Sequence, residues 1–518
     1  MNLIEIPKKS KEECINSFTK YILKDYNYER IYKLSIVGEL GEKNIRGIAW
    51  RIFMGVLPGY ESLEKWVEKI QYLRAEYKIL SDKIVKKFNY FEEENNKKEI
   101  EYNDIETKVF KNNIIKNPFH HQKETKKLIN LDLNRTFQEL SLFHDDKIKN
   151  KLSQILLLWD NENQDLGYQQ GMNDILSIIF LSLYPYYFPN NKNKNCLIPN
   201  LSKNKNEIIN NAENIYLFFH DEEEFESDLY ICFNSIMKKG VKSLYDFDFE
   251  TKEKQIEYIK ELLLFKNEFN IENEKINSPL NIRCNMIINE KLKILDKELF
   301  NHFNKIGLDC TIFLQRWLKC IFNREFELKD VLIIWDAILS HKDIKEGYKE
   351  YKVYNLIKID LIALSMILRI RNILLLCDQN QCFMMLLQYP RIENILELII
   401  FSDKLQEAIL EIIKGRKSIF LENVKSFIIN YKNSNVNMNK INKNEDIIKE
   451  NKNNKGNNER KNIIETKSDV ENKEILPIKS YEEGVQRLGN IFTKYHSLMN
   501  ISDEKEFLNI IHFFNNYK

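Results

Sequence analysis

Hydrophobic positions along the chain recur at intervals of three and four residues, which is the spacing of one face of an α-helix. Residues 155–159, 175–183 and 361–376 are more uniformly apolar, as helices buried on most sides are. Strict alternation of apolar and polar residues, the pattern of a half-buried strand, is hard to find. The pattern therefore predicts a mostly α-helical protein. The clearest helical stripe consists of Ile395, Leu396, Ile399, Leu405, Ile409, Ile412 and Ile413.

Polar and charged stretches interrupt these helical segments. We interpret residues of about 81–116, 189–211 and 246–279 as insertions, the last with some helical periodicity. Residues 431–475 are dominated by Asn, Lys and Glu and have too few apolar side chains to form a core, which predicts a disordered linker. Beyond it, an amphipathic stripe predicts C-terminal helices in residues 476–518, which either dock back on the body or bind a partner.

Composition narrows the class of protein. Apolar residues make up 43% of the 518, enough for a sizeable core. The 78 basic and 77 acidic residues give a net charge of +1, so no global field favours nucleic acid or anionic lipid. Only 14 glycines and 9 prolines are present, which argues against a turn-rich β fold. The 8 cysteines are scattered without a CxxC pair, so we expect a reduced, intracellular chain without a disulfide framework or zinc module.

The absent motifs exclude several kinds of chemistry. No apolar run reaches the roughly 18 clean residues of a membrane span, and the N-terminus lacks the apolar segment of a signal peptide. The sequence contains no phosphate-binding GxxxxGK[ST], no HExxH and no GxSxG. We therefore expect no transmembrane segment, no metal and no nucleotide held by the chain itself.

Three short segments carry candidate chemistry. In the first, Arg46 and Trp50 lie four residues apart in a predicted helix that ends near Gly55. This spacing places them on one face, where a guanidinium can stack on an indole. An ordinary core tryptophan covered by an arginine stem is the simpler interpretation.

The second segment places Asp132 three residues before Arg135, after Ile129. At that spacing a carboxylate can orient a guanidinium for presentation to a partner. A routine ion pair within a helix, which contributes a few tenths of a kcal/mol, is the alternative.

In the third segment, Gly167 and Gly171 flank Tyr168 and Gln170 just before an apolar helix. Paired glycines favour a tight loop or a close approach of the backbone. A glutamine amide combines a donor and an acceptor and suits the positioning of a water. Incidental glutamines at a helix start are the alternative. Farther along the chain, the segments around Trp317 and Trp335 have the pattern of helices packed in a hydrophobic core.

Taken in order, the motifs RxxxW, IxxDxxR, YxQGM and a WDxxL helix resemble the TBC domain, the GTPase-activating domain for Rab-type small GTPases. Each motif alone is weak evidence for the family, but the occurrence of all of them in this order over roughly residues 40–400 is specific. The resemblance implies an all-helical, V-shaped domain of two lobes, 40–240 and 241–430, preceded by a helical extension, 1–39. The matching positions are Arg46 and Trp50; Ile129, Asp132 and Arg135; Tyr168 and Gln170.

The resemblance also implies roles for these positions. Arg135 would be an arginine finger, and Gln170 a second finger that orients the attacking water. Asp132 and Tyr168 would hold the two fingers. GTP and Mg²⁺ would come with the partner GTPase. Further residues that support the site or bind the GTPase would be Arg46, Trp50, Ile129, Gly171 and Asn173.

Two features qualify the match. Gln138 stands where the family often has proline after Arg-Thr-Phe, which changes the turn but removes no reacting group. Residues 307–340 are similar to the branch associated with retromer and late-endosomal Rabs, which implies a retromer-like coat as a further partner. The resemblance therefore implies a cytoplasmic protein that is recruited peripherally to endosomal or Golgi membranes through such partners.

Two other interpretations stay open. The chain could be a catalytically inactive TBC-fold module that binds a Rab or a coat, or a helical scaffold whose inserted loops bind partners. Because Arg135 and Gln170 are both retained, the sequence favours an active GTPase activator that regulates vesicle trafficking.

Overall fold

Helices make up most of the described residues in the computed structural model, and these residues contain no β-strand. The structure describes residues 9–102 except 25, 118–184, 212–262, 277–341 and 356–413, together with residue 5. All of these belong to one unit, residues 1–434. The predicted linker, the predicted C-terminal helices and the insertion at 189–211 lie outside the described residues.

The part of the chain up to residue 262 supplies the helices that carry or flank the first three motifs. The helix Lys11–Phe18 continues as a π-helical segment, Thr19–Lys24. A second π-helical segment, Met237–Val241, follows the helix Phe225–Ile236. Single 3₁₀ turns lie at Ser141–His144 and Lys242–Leu244. The α-helices are Lys11–Phe18, Tyr28–Ile36, Arg46–Phe53, Leu63–Tyr102, Pro118–Asn134, Asp146–Glu162, Met172–Leu183, Ala212–Phe219, Phe225–Ile236 and Lys252–Leu262.

The second half begins with a helix whose capping is visible in the sequence. Ser278 accepts a hydrogen bond from the backbone N–H of Asn281, and Pro279 occupies the first helical position. The π-helical segment Met286–Leu292 joins the helices Pro279–Asn285 and Lys293–Leu295. The α-helices are Pro279–Asn285, Lys293–Leu295, Lys297–Lys305, Thr311–Lys319, Leu328–Ser340, Ile357–Arg369, Arg371–Leu374, Gln379–Leu387 and Ile395–Ile413.

The predicted helix class is confirmed, and two boundaries differ from the sequence pattern. The apolar run 361–376 is divided, because one helix ends at Arg369 and a short one begins at Arg371, whose side chain pairs with Asp296. The predicted insertion at 81–116 starts inside a long helix that continues to Tyr102. No helix among the described ranges combines the length and apolarity of a membrane span.

A buried carboxylate joins the first motif to the downstream tryptophan helix. Arg46 donates to Asp336 through Nε at 3.0 Å and through a terminal nitrogen at 2.9 Å. The indole of Trp50 donates to the same carboxylate at 2.7 Å, and its ring stacks on Trp335 with centroids 5.5 Å apart. Arg46 and Trp50 therefore do share a face, and what they share there is Asp336, which lies 290 residues after Arg46.

Candidate functional site

The helix Pro118–Asn134, here called the finger helix, carries the second motif at its C-terminal end. Ile129 and Leu133 are buried and anchor this end in the core. Asp132 is buried as well, with 8% of its side chain exposed. Arg135, just beyond the helix, keeps 52% of its side chain exposed. The helix end thus fixes the carboxylate and leaves the guanidinium at the surface.

Both oxygens of the Asp132 carboxylate are engaged. Arg135 pairs with Oδ1, and the Tyr168 hydroxyl donates to Oδ2 at 2.7 Å. Burial, and then the hydrogen bond to Asp132, raise the pKa of Tyr168 well above its usual range. The tyrosine consequently stays protonated and remains a donor to the carboxylate at any physiological pH.

The loop that holds Tyr168 and Gln170 depends on its two glycines. Gly167 and Gly171 have φ of 68° and 106°, a left-handed conformation that side chains disfavour. A Cβ at Gly171 would also lie 3.1 Å from the Tyr245 hydroxyl. The backbone N–H of Tyr168 donates to Asp160 Oδ1 at 2.7 Å, which fixes the entry to the loop. The tight loop predicted from the sequence is present.

Asn173 ties this loop to the residues that follow the finger helix. Its Oδ1 accepts from the Gly171 N–H at 3.0 Å, and its Nδ2 donates to Thr136 Oγ1 at 2.9 Å. The Thr136 hydroxyl in turn donates to the Asp132 carbonyl at 2.8 Å. Gln170 is exposed, and the described residues provide no hydrogen-bond partner for its side chain. Its amide is therefore available at the surface of a loop that is fixed on both sides.

A cavity of about 410 Å³ opens beside Arg135. One wall is the chain after the finger helix, where Phe137 adopts a left-handed φ of 42°. In this turn Gln138, at the position where proline was expected, donates from Nε2 to the Asn134 carbonyl at 2.9 Å and so caps the finger helix. The cavity is lined by Arg135, Thr136, Phe137, Glu139, Asp174, Asn323, Arg324, Phe326, Glu327 and Leu328.

The far wall of the cavity contains residues that the motif analysis did not identify. Arg324 donates to Asp174 Oδ2 from Nε at 2.9 Å and pairs with it through a terminal nitrogen at 2.7 Å. Burial raises the pKa of Asp174, and Arg324 opposes that rise. Asp174 directly follows Asn173 in the sequence and could have been suspected. Arg324 lies 150 residues later, and no pattern in the sequence connects the two.

The structure separates the candidate residues into two groups. Asp132, Arg135, Tyr168 and Asn173 form one hydrogen-bonded network with the Gly167–Gly171 loop and Gln170 at its edge. Arg46 and Trp50 are bound to Asp336 and do not line the cavity. Within the described ranges, no group of three or more His, Cys, Asp or Glu side chains is placed to hold a metal ion.

Comparison with known proteins identifies the family of the chain. The model of the Rab-GTPase-TBC domain matches residues 43–269 and 266–368, together more than half of the chain. Human TBC1 domain family member 5 is 26% identical over 401 residues, which is 75% of this chain and 45% of the relative. The GTPase-activating protein GYP1 of Saccharomyces cerevisiae is 23% identical over 212 residues, 41% of this chain and 27% of the relative.

The crystal structure of the Ypt/Rab-GAP domain of Gyp1p aligns with 77% of this chain and 100% of its own, with 18% identity and a TM-score of 0.49. The chain spans less than half of the length of the TBC1 domain family member 5 proteins that it matches. From the extent of the family match, the chain belongs to the Rab-GTPase-TBC domain family.

Proposed function

We propose that this protein accelerates GTP hydrolysis by a Rab-type small GTPase, to which it supplies Arg135 and Gln170. One observation carries the proposal. The carboxylate of Asp132 is buried and held by Tyr168, while the Arg135 side chain that it orients is half exposed beside an open cavity. An ordinary structural ion pair has no need of such asymmetry.

The chemistry follows from what phosphoryl transfer requires. Charge accumulates on the transferred group, and a preorganised cation aimed at it lowers the barrier without reorganisation. An arginine supplied in trans increases the rate by about 10³ to 10⁵. In this proposal Arg135 contributes that charge, and the exposed amide of Gln170 orients the attacking water. GTP and Mg²⁺ arrive with the GTPase, so the chain contributes positioning and electrostatics only.

The alternative function is binding without catalysis, in which the same surface recruits a GTPase or a coat. The retained Arg135 and Gln170 favour activity over this alternative, because binding alone does not require that pair. A relative that is named as a GTPase-activating protein, GYP1 of Saccharomyces cerevisiae, adds support.

We further propose that recruitment to endosomal membranes occurs through partners, namely the GTPase and a retromer-like coat. The support is the resemblance of residues 307–340 to the retromer-associated branch of the family. Co-purification of the full chain with retromer subunits from endosomal membranes would test this, and its absence would remove the coat from the proposal.

The direct test of activity is single-turnover GTP hydrolysis by a panel of GTP-loaded Rab proteins, with and without the purified chain. We expect strong stimulation of one or two members and its loss in Arg135→Ala. Stimulation that survives in Arg135→Ala would contradict the assignment of the finger. Measurable binding to one Rab without stimulation of any would establish the non-catalytic alternative.

A further inference from the structure

The start of the helix Met172–Leu183 is held by a distant segment, residues 320–324, which we call the clasp. Arg324 contacts the carboxylate of Asp174, and Asn323 Nδ2 donates to the Asp174 backbone carbonyl at 3.1 Å. The Cys320 thiol lies 3.4 Å from the same carboxylate. One residue of the helix is therefore gripped through both its side chain and its backbone.

The backbone of the clasp is strained. Ile321 and Phe322, both fully buried, have φ of 45° and 62°. Left-handed φ is rare for bulky residues and rarer for β-branched ones, and each instance is energetically unfavourable. Trp335 stabilises this conformation, because its indole donates to Asn323 Oδ1 at 2.9 Å. Strain of this kind persists where the surrounding structure requires a particular geometry.

The geometry that results places Asp174 directly behind the Gln170 loop. The Asp174 and Ile175 N–H groups donate to the Gly171 carbonyl at 3.1 and 3.2 Å. Gly171 is the next residue after Gln170 and directly precedes the helix, so its carbonyl fixes where the loop enters the helix. A displacement of Asp174 consequently moves the loop that carries Gln170.

We propose that Arg324 is a positioning residue, which fixes the Gln170 loop through Asp174 and so aims the Gln170 amide. This inference rests on the proposed function, because aiming matters only if Gln170 orients a water. Arg324 lines the same cavity as Arg135, so the clasp brings a segment from the second half of the chain to the finger pair. The clasp thereby couples the correct packing of that half to catalysis.

The test combines kinetics with amide hydrogen exchange on the full chain. Arg324→Ala is compared with Arg324→Lys, which keeps one donor for Asp174, and with Arg371→Ala. Arg371 is a matched control, because it pairs with Asp296 and Glu298 and does not line the cavity. Each change is made in the wild-type chain and in Gln170→Ala.

We expect Arg324→Ala to lower the maximal rate of stimulated hydrolysis by about tenfold with little change in the half-saturating concentration, since small misplacements of a reacting group have effects of this size. Arg324→Lys should recover most of the loss. In Gln170→Ala, the further loss from Arg324→Ala should be below about twofold, because both changes remove the same contribution. Amides 171–175 should exchange faster in Arg324→Ala than in the wild type. In Arg371→Ala their exchange rates should be unchanged.

A full tenfold loss in both backgrounds, or unchanged exchange of amides 171–175, would overturn the proposal. If Arg324→Ala does not fold, Asp174→Asn provides the same comparison, because asparagine keeps an acceptor and removes the charge. If the wild-type chain stimulates no GTPase, the proposed function fails and the aiming role fails with it. The exchange experiment then still decides whether Arg324 fixes the loop.

Discussion

Two arginine–aspartate clusters in this protein contrast in what they leave exposed. In the first, here called the Asp228 cluster, Arg51 and Arg74 both contact Asp228, with 1% and 6% of the arginine side chains exposed. Arg74 contacts the carboxylate at 2.7 and 2.8 Å and also donates to the Phe218 carbonyl at 2.9 Å. Arg51 approaches Asp228 at 3.0 Å. These interactions hold both guanidiniums inside the protein.

At the finger, the same residue types are arranged asymmetrically. Asp132 is buried, but the Arg135 side chain is half exposed.

In the Asp228 cluster, burial by itself would raise the pKa of Asp228, and the two guanidiniums beside it hold that pKa below its usual range instead. The Asp228 cluster thus stabilises the fold, while the Asp132 pair presents a cation to solvent. The following predictions test that contrast, from the largest expected effect to the smallest.

The largest effect is expected for Arg135→Lys in single-turnover hydrolysis. Lysine keeps the charge but lacks the planar fork that, in the proposed function, binds phosphoryl oxygens and Asp132 together. Stimulation should fall by about 10³ or more, while the free energy of unfolding changes by less than about 1 kcal/mol, because exposed ion pairs contribute little. Near-wild-type stimulation by this variant would show that Arg135 is an ordinary ion-paired residue.

The Asp228 cluster should respond in the opposite way. Asp228→Asn leaves two buried guanidiniums without their counter-charge, so we expect a loss of about 3–5 kcal/mol in the free energy of unfolding. Chemical denaturation of the wild type, Asp228→Asn and Arg135→Lys measures both members of the contrast. An equal loss in Asp228→Asn and Arg135→Lys would show that the two clusters have the same structural role.

The contrast also shows how far the sequence could predict the site. The Asp132–Arg135 pair was predictable because its partners are three residues apart at the end of one helix. Tyr168 and Gln170 were suggested by the flanking glycines and by the order of motifs. The helical class followed from periodicity, because the apolar spacing of each helix is local.

The rest depends on contacts that the spacing of residues does not encode. Asp228 lies 154 residues after Arg74, and Asp336 lies 290 after Arg46. Nothing local distinguishes these aspartates from surface ones. The clasp is equally hidden, because Ile321 and Phe322 are residue types that normally avoid the left-handed conformation they adopt. Tertiary packing imposes that conformation, and it became visible only in the fold.

A smaller effect is expected from His220, which is buried beside the Asp228 cluster. Burial, and then the charge of Arg51, lower the pKa of His220 to about 3, and Nδ1 donates to the Tyr216 carbonyl at 2.8 Å. Between pH 6.5 and 3 the unfolded chain therefore binds a proton that the folded chain does not. Stability contributed by this residue is present above pH 6.5 and falls by about 2 kcal/mol on going from pH 7 to 5.

The measurement is the free energy of unfolding at pH 5 and pH 7 for the wild type and His220→Gln. Glu325 has the opposite effect on the pH dependence of stability. Burial raises its pKa to about 7, so its carboxyl group takes up a proton more readily in the folded chain and favours the folded state more as the pH falls. Only the difference between the two proteins isolates the histidine. We expect His220→Gln to lose less stability on acidification, and parallel curves would show that His220 is protonated in the fold.

The smallest effect concerns the hydroxyl that holds the finger carboxylate. Tyr168→Phe removes the donor to Asp132 Oδ2 and should reduce the free energy of unfolding by about 1 kcal/mol. Tyr389→Phe is the matched control, because its hydroxyl donates to the Met366 carbonyl at 2.9 Å and not to the Asp132 network. Both variants should lose similar stability, but only Tyr168→Phe should slow stimulated hydrolysis, by about threefold to tenfold, since Asp132 then orients Arg135 less firmly. Equal rates in the two variants would mean that Arg135 finds its position without help from Tyr168, and the network around Asp132 would then be structural in the same sense as the Asp228 cluster.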